Sequence, residues 1–224
     1  AADAPSASAV HWADPLRGQA FARWLAAVAP RHGLDPGSAR LASADASFRR
    51  YLRVDAADGT RIVMDAPPDK EDCRPFVHVQ GLMQAAGLPV PQIQAWDEAH
   101  GFMLLSDLGA QTAIERLDGA QPAAAHAWYL QAVDLLIDWQ KSSRPGVLPA
   151  YDDALLRREL QLFPDWYIAR HRQATLTEAQ QATLAKAFDT IVAQNLAAPS
   201  VFVHRDFMMR NLMVMDAAPT LPAA

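Results

Sequence analysis

Cysteine is nearly missing from this chain. Cys73 stands alone, so no disulfide can close within it, a usage expected of a reducing compartment. No apolar run approaches the roughly 20 residues that a membrane-spanning helix requires. The opening stretch "AADAPSASAV" has neither the cationic start nor the apolar centre of a signal peptide. Basic runs are absent as well, and the formal net charge is -5, which argues against a surface built to neutralise nucleic-acid phosphates. The histidines outside residue 204 fall at no paired ligand spacing, so a structural zinc site is not expected. No solenoid-like repeat occurs. These absences leave a soluble, cytoplasmic protein with no nucleic-acid or membrane partner, expected to be a monomer.

What is present is an apolar fraction of 51%, ample for a core, and a change of texture along the chain. Leu16, Phe21, Leu25 and Val28 recur at helical spacing from Pro15 to about His32, where Gly33 is a stop. "FRRYLRV" and "RIVMDAP" read as strands joined through Asp58-Gly59, a hairpin signal. A helix is predicted from about Asp72 to Ala86, then a second strand pair, "PQIQAWD" and "GFMLLSDL". After Gly109 the pattern is helical: "AAAHAWYLQAVDLLIDWQKS", "DDALLRRELQLFPDWYIARH" and "TEAQQATLAKAFDTIVAQNL", the last with Thr177 and Glu178 as start signals. A short strand, "SVFVH", and a second, "LMVM", flank a polar cluster. The fold class is therefore α+β, with a mixed-sheet lobe over residues 1–108 and a helical lobe over 109–224.

The polar cluster is the most informative feature. His204-Arg205-Asp206 followed by Asn211 has the form H-R-D-x-x-x-x-N. Phosphoryl transfer from ATP explains these residue types at this spacing. Asp206 would accept or orient the hydroxyl proton of the nucleophile, and Asn211 would present an amide oxygen to Mg2+ held against the phosphates. A charged turn between two buried strands is the plainer alternative.

Together, "SADASFRRYLRV", "RIVMDAPPDKED", "LLSDLG", "RRELQLFPDW" and "VHRDFMMRNLMV" resemble the aminoglycoside phosphotransferase and choline kinase-like superfamily. Within it the similarity is to the bacterial cell-wall amino-sugar kinases, over about residues 15–216. The resemblance implies a bilobal protein-kinase-like fold with a five-stranded N-lobe. It implies an ATP- and Mg2+-dependent phosphotransferase acting on the anomeric hydroxyl of N-acetylmuramate or N-acetylglucosamine in peptidoglycan recycling. Other readings are a kinase of another small alcohol, aminoglycoside- or choline-like, and a nucleotide-binding pseudokinase.

On this resemblance "SADASFRRY" takes the place of the phosphate-covering loop, with Ser43, Ala46, Ser47, Arg49 and Arg50 as candidate nucleotide contacts; an ordinary polar turn is equally compatible. The strand that would carry a kinase lysine offers Asp65 instead, so Arg49, Arg50 or Lys70 must supply the positive charge, unless Asp65 merely ends an edge strand. Backbone groups around Ser106, Asp107 and Leu108 would bind adenine, with Met103 and Leu104 lining its pocket; Asp107 is also a natural turn residue. Arg157, Glu159 and Trp166 are candidates for the sugar pocket, beside a Leu156–Leu160–Phe163–Tyr167 stripe that reads as core. A second acidic magnesium ligand is implied downstream of Asn211, where only Asp216 occurs. The expectation is thus a C-lobe incompletely represented, in a piece of a longer kinase.

Overall fold

The computed structural model describes residues 10–44, 48–215 and 218–220. Ala46, Ser47 and Asp216, singled out above, lie outside the described residues. The chain divides into two compact units, Ala1–Asp138 with Arg205–Ala224, and Trp139–His204.

In the first unit, α1 (Pro15–His32) opens with Asp14, whose carboxylate accepts from the Leu16 N–H at 2.9 Å. It closes at Gly33, which adopts the left-handed conformation that a helix stop favours. Phe21, Leu25 and Ala29, four residues apart, form its buried face. Five strands follow: β1 (Arg40–Ala44), β2 (Arg50–Ala56), β3 (Gly59–Asp65), β4 (Ile93–Asp97) and β5 (Phe102–Ser106). They form one sheet in the order β1-β2-β3-β5-β4, with every adjacent pair antiparallel. The Asp58-Gly59 hairpin joins β2 to β3, as its turn residues predict.

Strand alternation gives the two faces different partners. Leu52, Val54, Val63, Phe102 and Leu104 pack with Phe21, Leu25 and Ala29 of α1. Met64, Met103 and Leu105 pack on the other side with Phe76 of α2 (Arg74–Ala85) and with Cys73 and Ala66. Each fully buried aliphatic side chain here stabilises by about 1.5–3 kcal/mol. Leu104, expected beside adenine, instead faces α1, because it is one residue out of phase with Met103.

The β4–β5 turn depends on a glycine. Gly101 has φ +71°, and a Cβ there would lie 1.9 Å from the carbonyl oxygen of Ala66, whose N–H donates to the Gly101 oxygen at 2.9 Å. Gly101→Ala is therefore expected to cost about 1–3 kcal/mol from backbone conformation alone, and more once Ala66 is displaced. Chemical denaturation checks this; an unchanged unfolding midpoint would contradict the geometry.

α3 runs Pro122–Lys141. The second unit contains α4 (Asp153–Leu162), continuing as a π-helical segment over Phe163–His171, and α5 (Glu178–Ala197). Pro164 at the junction has no N–H for the regular helical ladder, which accounts for the change of winding. Thr177 caps α5 and exchanges bonds with Gln180 as a capping box.

Two expectations change here. "SVFVH" is not a strand: the Phe202 N–H donates to Ser143 Oγ at 2.7 Å and its ring packs on Trp139, so a side chain takes the place of a ladder. The helical stripe through Phe163 and Tyr167 is not core, since both rings are 49% exposed and stack on one another along the surface of the helix. Helical period reports an apolar face, not what covers it.

Candidate active site

The two residues picked out by spacing come together. Asn211 Nδ2 donates to the Asp206 carboxylate at 2.7 Å and to the Asp206 backbone oxygen at 3.0 Å. Both partners are acceptors only, so the amide orientation is fixed and Oδ1 of Asn211 is the atom presented outward. A short 3-10 turn, Met209–Asn211, closes the loop through a bond from the Asn211 N–H to the Met208 oxygen at 2.8 Å. Met209 and Leu212 are buried and anchor the loop from below, while Asp206 remains exposed. Arg205, immediately before Asp206, has φ +73°, a strained conformation for a residue with a side chain, of the kind that gathers at functional loops.

Beyond Asn211 the chain enters β6 (Met213–Met215), which pairs with β7 (Ala218–Thr220). On its other side lies the segment leaving β5. The Ala113 N–H donates to the Leu212 oxygen at 2.6 Å, the Val214 N–H donates to the Gln111 oxygen at 2.9 Å, and Thr112 bridges Met213. The catalytic-type loop is thus hydrogen-bonded to the chain that leaves the sheet.

That exit holds Ser106, Asp107 and Leu108. Ser106 is bonded to Gln92 through both its N–H and its hydroxyl. Asp107 is the expected turn residue, accepting from the Gly109 N–H at 2.8 Å, but it does more. Its carboxylate also accepts from Arg53 Nε at 2.6 Å, Arg53 Nη2 at 3.2 Å and Thr60 Oγ1 at 2.7 Å. Burial pushes Asp107 upward, yet the bonds from Arg53, Thr60 and Gly109 outweigh it and hold the carboxyl below its ordinary value. A lowered carboxyl contributes stability that is fully present above its unfolded pKa, about 3.9, and is lost as pH falls through the folded value. The Asp107 carboxylate therefore stays charged throughout the neutral range. Among the described residues the backbone of Leu108 makes no hydrogen bond.

The cations sort by face. Asp65 is only 2% exposed and sits on a central strand rather than an edge, which corrects the edge-strand reading. It pairs with Arg50, its cross-strand neighbour, at 2.6 Å, and with Arg17 of α1. Arg50 also donates to the His11 oxygen at 2.8 Å and covers the Trp12 ring at 3.9 Å. Arg50 is therefore engaged on the α1 face. Arg49 pairs with Glu71 at 3.3 Å, and Glu71 also accepts from the Phe48 N–H at 3.1 Å. Lys70 lies over the Phe48 ring at 4.9 Å. Ser43 is exposed on β1 opposite Tyr51, beside a break in register between Leu41 and Ser43.

The three sugar-pocket candidates lie in the second unit. Arg157 joins Asp153 at 2.9 Å and Asp189 of α5 at 2.8 Å, and these carboxylates raise its pKa. Glu159 accepts a hydrogen bond from Tyr151. Trp166 is exposed, with Arg170 over its ring at 4.1 Å. In the same unit, Asp165, Ile168, Leu176, Leu184 and Phe188 border an open cavity of about 430 Å³ between the π-helical segment and α5. Sequence reading missed this cavity, and missed Arg53 and Arg17 altogether; none of them belongs to a local motif.

Residues 38–220 match the model of the phosphotransferase enzyme family. The chain belongs to that family. Among curated proteins it is 53% identical over 178 residues to an N-acetylmuramate/N-acetylglucosamine kinase of Pseudomonas aeruginosa, covering 80% of this chain and 52% of that protein. It is 41% identical over 198 residues to a protein of the same name from Neisseria meningitidis, covering 88% and 58%. The chain thus spans about half the length of the curated relatives it matches. Among solved structures, the streptomycin–ATP complex of APH(2")-IIa aligns with a TM-score of 0.58 at 10% identity, covering 95% of this chain and 71% of that one. Spectinomycin phosphotransferase APH(9)-Ia aligns with a TM-score of 0.54 at 12% identity, covering 89% and 69%. These phosphotransferase structures share the kinase-like α+β fold with this chain. No described helix is long and apolar enough to cross a membrane.

Proposed function

We propose that the protein is an ATP-dependent kinase of N-acetylmuramate and N-acetylglucosamine, transferring phosphate to the anomeric hydroxyl. The observation that carries the reading is the Asp206–Asn211 pair, anchored by Met209 and Leu212 and laced to the strand exit that would hold adenine. The names of the relatives support the sugar class. Asp206 accepts the proton of the sugar hydroxyl as it attacks, and its hydrogen bond from Asn211 keeps the carboxylate oriented toward that hydroxyl. Leu108 offers backbone groups to the adenine edge, and Met103 is an apolar wall on the α2 face of the sheet. With Arg50 engaged by Asp65, Arg49 is the better candidate for the phosphate-binding cation, oriented by Glu71.

The donor set fits Mg2+. Asn211 Oδ1 is a hard oxygen ligand, the Asp206 carboxylate being kept for the proton, and among the described residues no group of three or more His, Cys, Asp or Glu is placed to hold a metal ion. Phosphate oxygens and water would complete the coordination, as this cation ordinarily requires. Bound there, the ion would neutralise charge on the transferring phosphoryl group. Arg157, Glu159 and Trp166 remain the proposed sugar contacts. A coupled assay of the whole protein with ATP and each of N-acetylmuramate, N-acetylglucosamine, choline and an aminoglycoside tests the reading, with phosphorus NMR of the product. An anomeric phosphate of either amino sugar is the expected product; turnover of choline alone would refute the assignment.

A further inference from the structure

The fork between Arg53 and Asp107 joins residues 54 positions apart in sequence. Arg53 lies in the middle of β2, opposite Ile62 of β3, and reaches across to the chain just past the end of β5. Its Nη2 also donates to the backbone oxygen of Gly109 at 2.9 Å. Asp107 in turn takes the Gly109 N–H. Both backbone groups of Gly109 are therefore held by one ion pair, and Thr60, from the turn end of β3, supplies a further donor.

Gly109 is also where the exit first meets the catalytic-type strand. It has φ +106°, and a Cβ on it would stand 3.3 Å from the Val214 oxygen. Two residues on, Gln111 accepts from Val214, and Ala113 donates to Leu212, the neighbour of Asn211. Directed bonds tie Arg53, Asp107 and Gly109 together, and a few residues along the same backbone Gln111 and Ala113 bond to Val214 of β6 and to Leu212, next to Asn211. We propose that Arg53 and Asp107 are positioning residues, which set the register of the adenine-binding exit and of the loop carrying Asp206 against the nucleotide-binding sheet. Neither side chain is assigned contact with ATP or the sugar. A bidentate guanidinium–carboxylate fork suits this task because it fixes direction as well as distance, which a lysine cannot do. The consequence for phosphoryl transfer rests on the function proposed above; the register itself does not.

Two measurements on the whole protein separate the two claims. Asp107→Asn and Arg53→Lys are expected to speed hydrogen exchange at the Ala113 and Val214 amides. They are also expected to raise KM for ATP by about ten-fold or more, since small misplacements are costly in positioned reactions, while KM for the sugar stays near that of the parent. The double variant should be no worse than Asp107→Asn alone, because the two side chains act as one unit. A fall in Tm with unchanged exchange at those amides and unchanged KM for ATP would mark the pair as merely structural and overturn the proposal. If the parent protein transfers no phosphate, the functional reading falls, and the exchange data alone decide whether the clamp sets the register.

Discussion

Asp206→Asn is expected to cut turnover of amino sugar by about a hundred- to ten-thousand-fold, the range a positioned general base contributes. The substitution is unusually clean here. Asn211 Nδ2 donates to one carboxylate oxygen and to the Asp206 backbone, and an asparagine at 206 can turn its own amide oxygen toward the same donor. The loop therefore keeps its shape while losing the proton acceptor. Binding of ATP, measured directly by titration calorimetry, should change little. A variant that turns over at the parent rate would remove Asp206 from the chemistry and favour a nucleotide-binding protein without transferase activity.

The second large effect is on stability. Asp65→Asn keeps side-chain volume and removes a buried charge that holds two guanidinium groups, one from α1 and one from β2. Breaking such a cluster from its shared centre is expected to cost about 3 kcal/mol, near the lower end for buried pairs because both arginines keep some access to water. For a chain of this size that corresponds to roughly 6–12 °C in Tm. Arg17→Met should cost less, since Arg50 would still satisfy Asp65. A shift within about 1 °C of the parent for Asp65→Asn would show that the cluster adds nothing net to folding.

The contrast between these two aspartates explains what the sequence could convey. Asp206 and Asn211 are five residues apart, so the chain itself brings them together and their spacing carries the meaning. The Asp58-Gly59 hairpin and the Thr177 cap are legible for the same reason. Asp65 looked anomalous because Arg17, one of its partners, lies 48 residues away. Nothing local could show that this carboxylate anchors α1 rather than standing in for a phosphate-binding group. Arg53 was invisible on the same ground. Four of the sheet's five strands were readable as strand-like runs, whereas β1 (Arg40–Ala44) was not, and neither was the β1-β2-β3-β5-β4 order, which depends on which edges meet after collapse. For residues 156–167 the helical period was right and the inferred burial was not.

The alternation of β2 has a consequence for how this family can vary. Arg50, Leu52 and Val54 point to α1, whereas Tyr51 and Arg53 point to the opposite face. Scaffold and site are thus interleaved on consecutive residues, and a one-residue insertion or deletion between Phe48 and Val54 would exchange them all at once. Homologous chains should accordingly tolerate changes of residue type along this strand far better than changes of its length, and length variation should collect in the 56–59 turn instead.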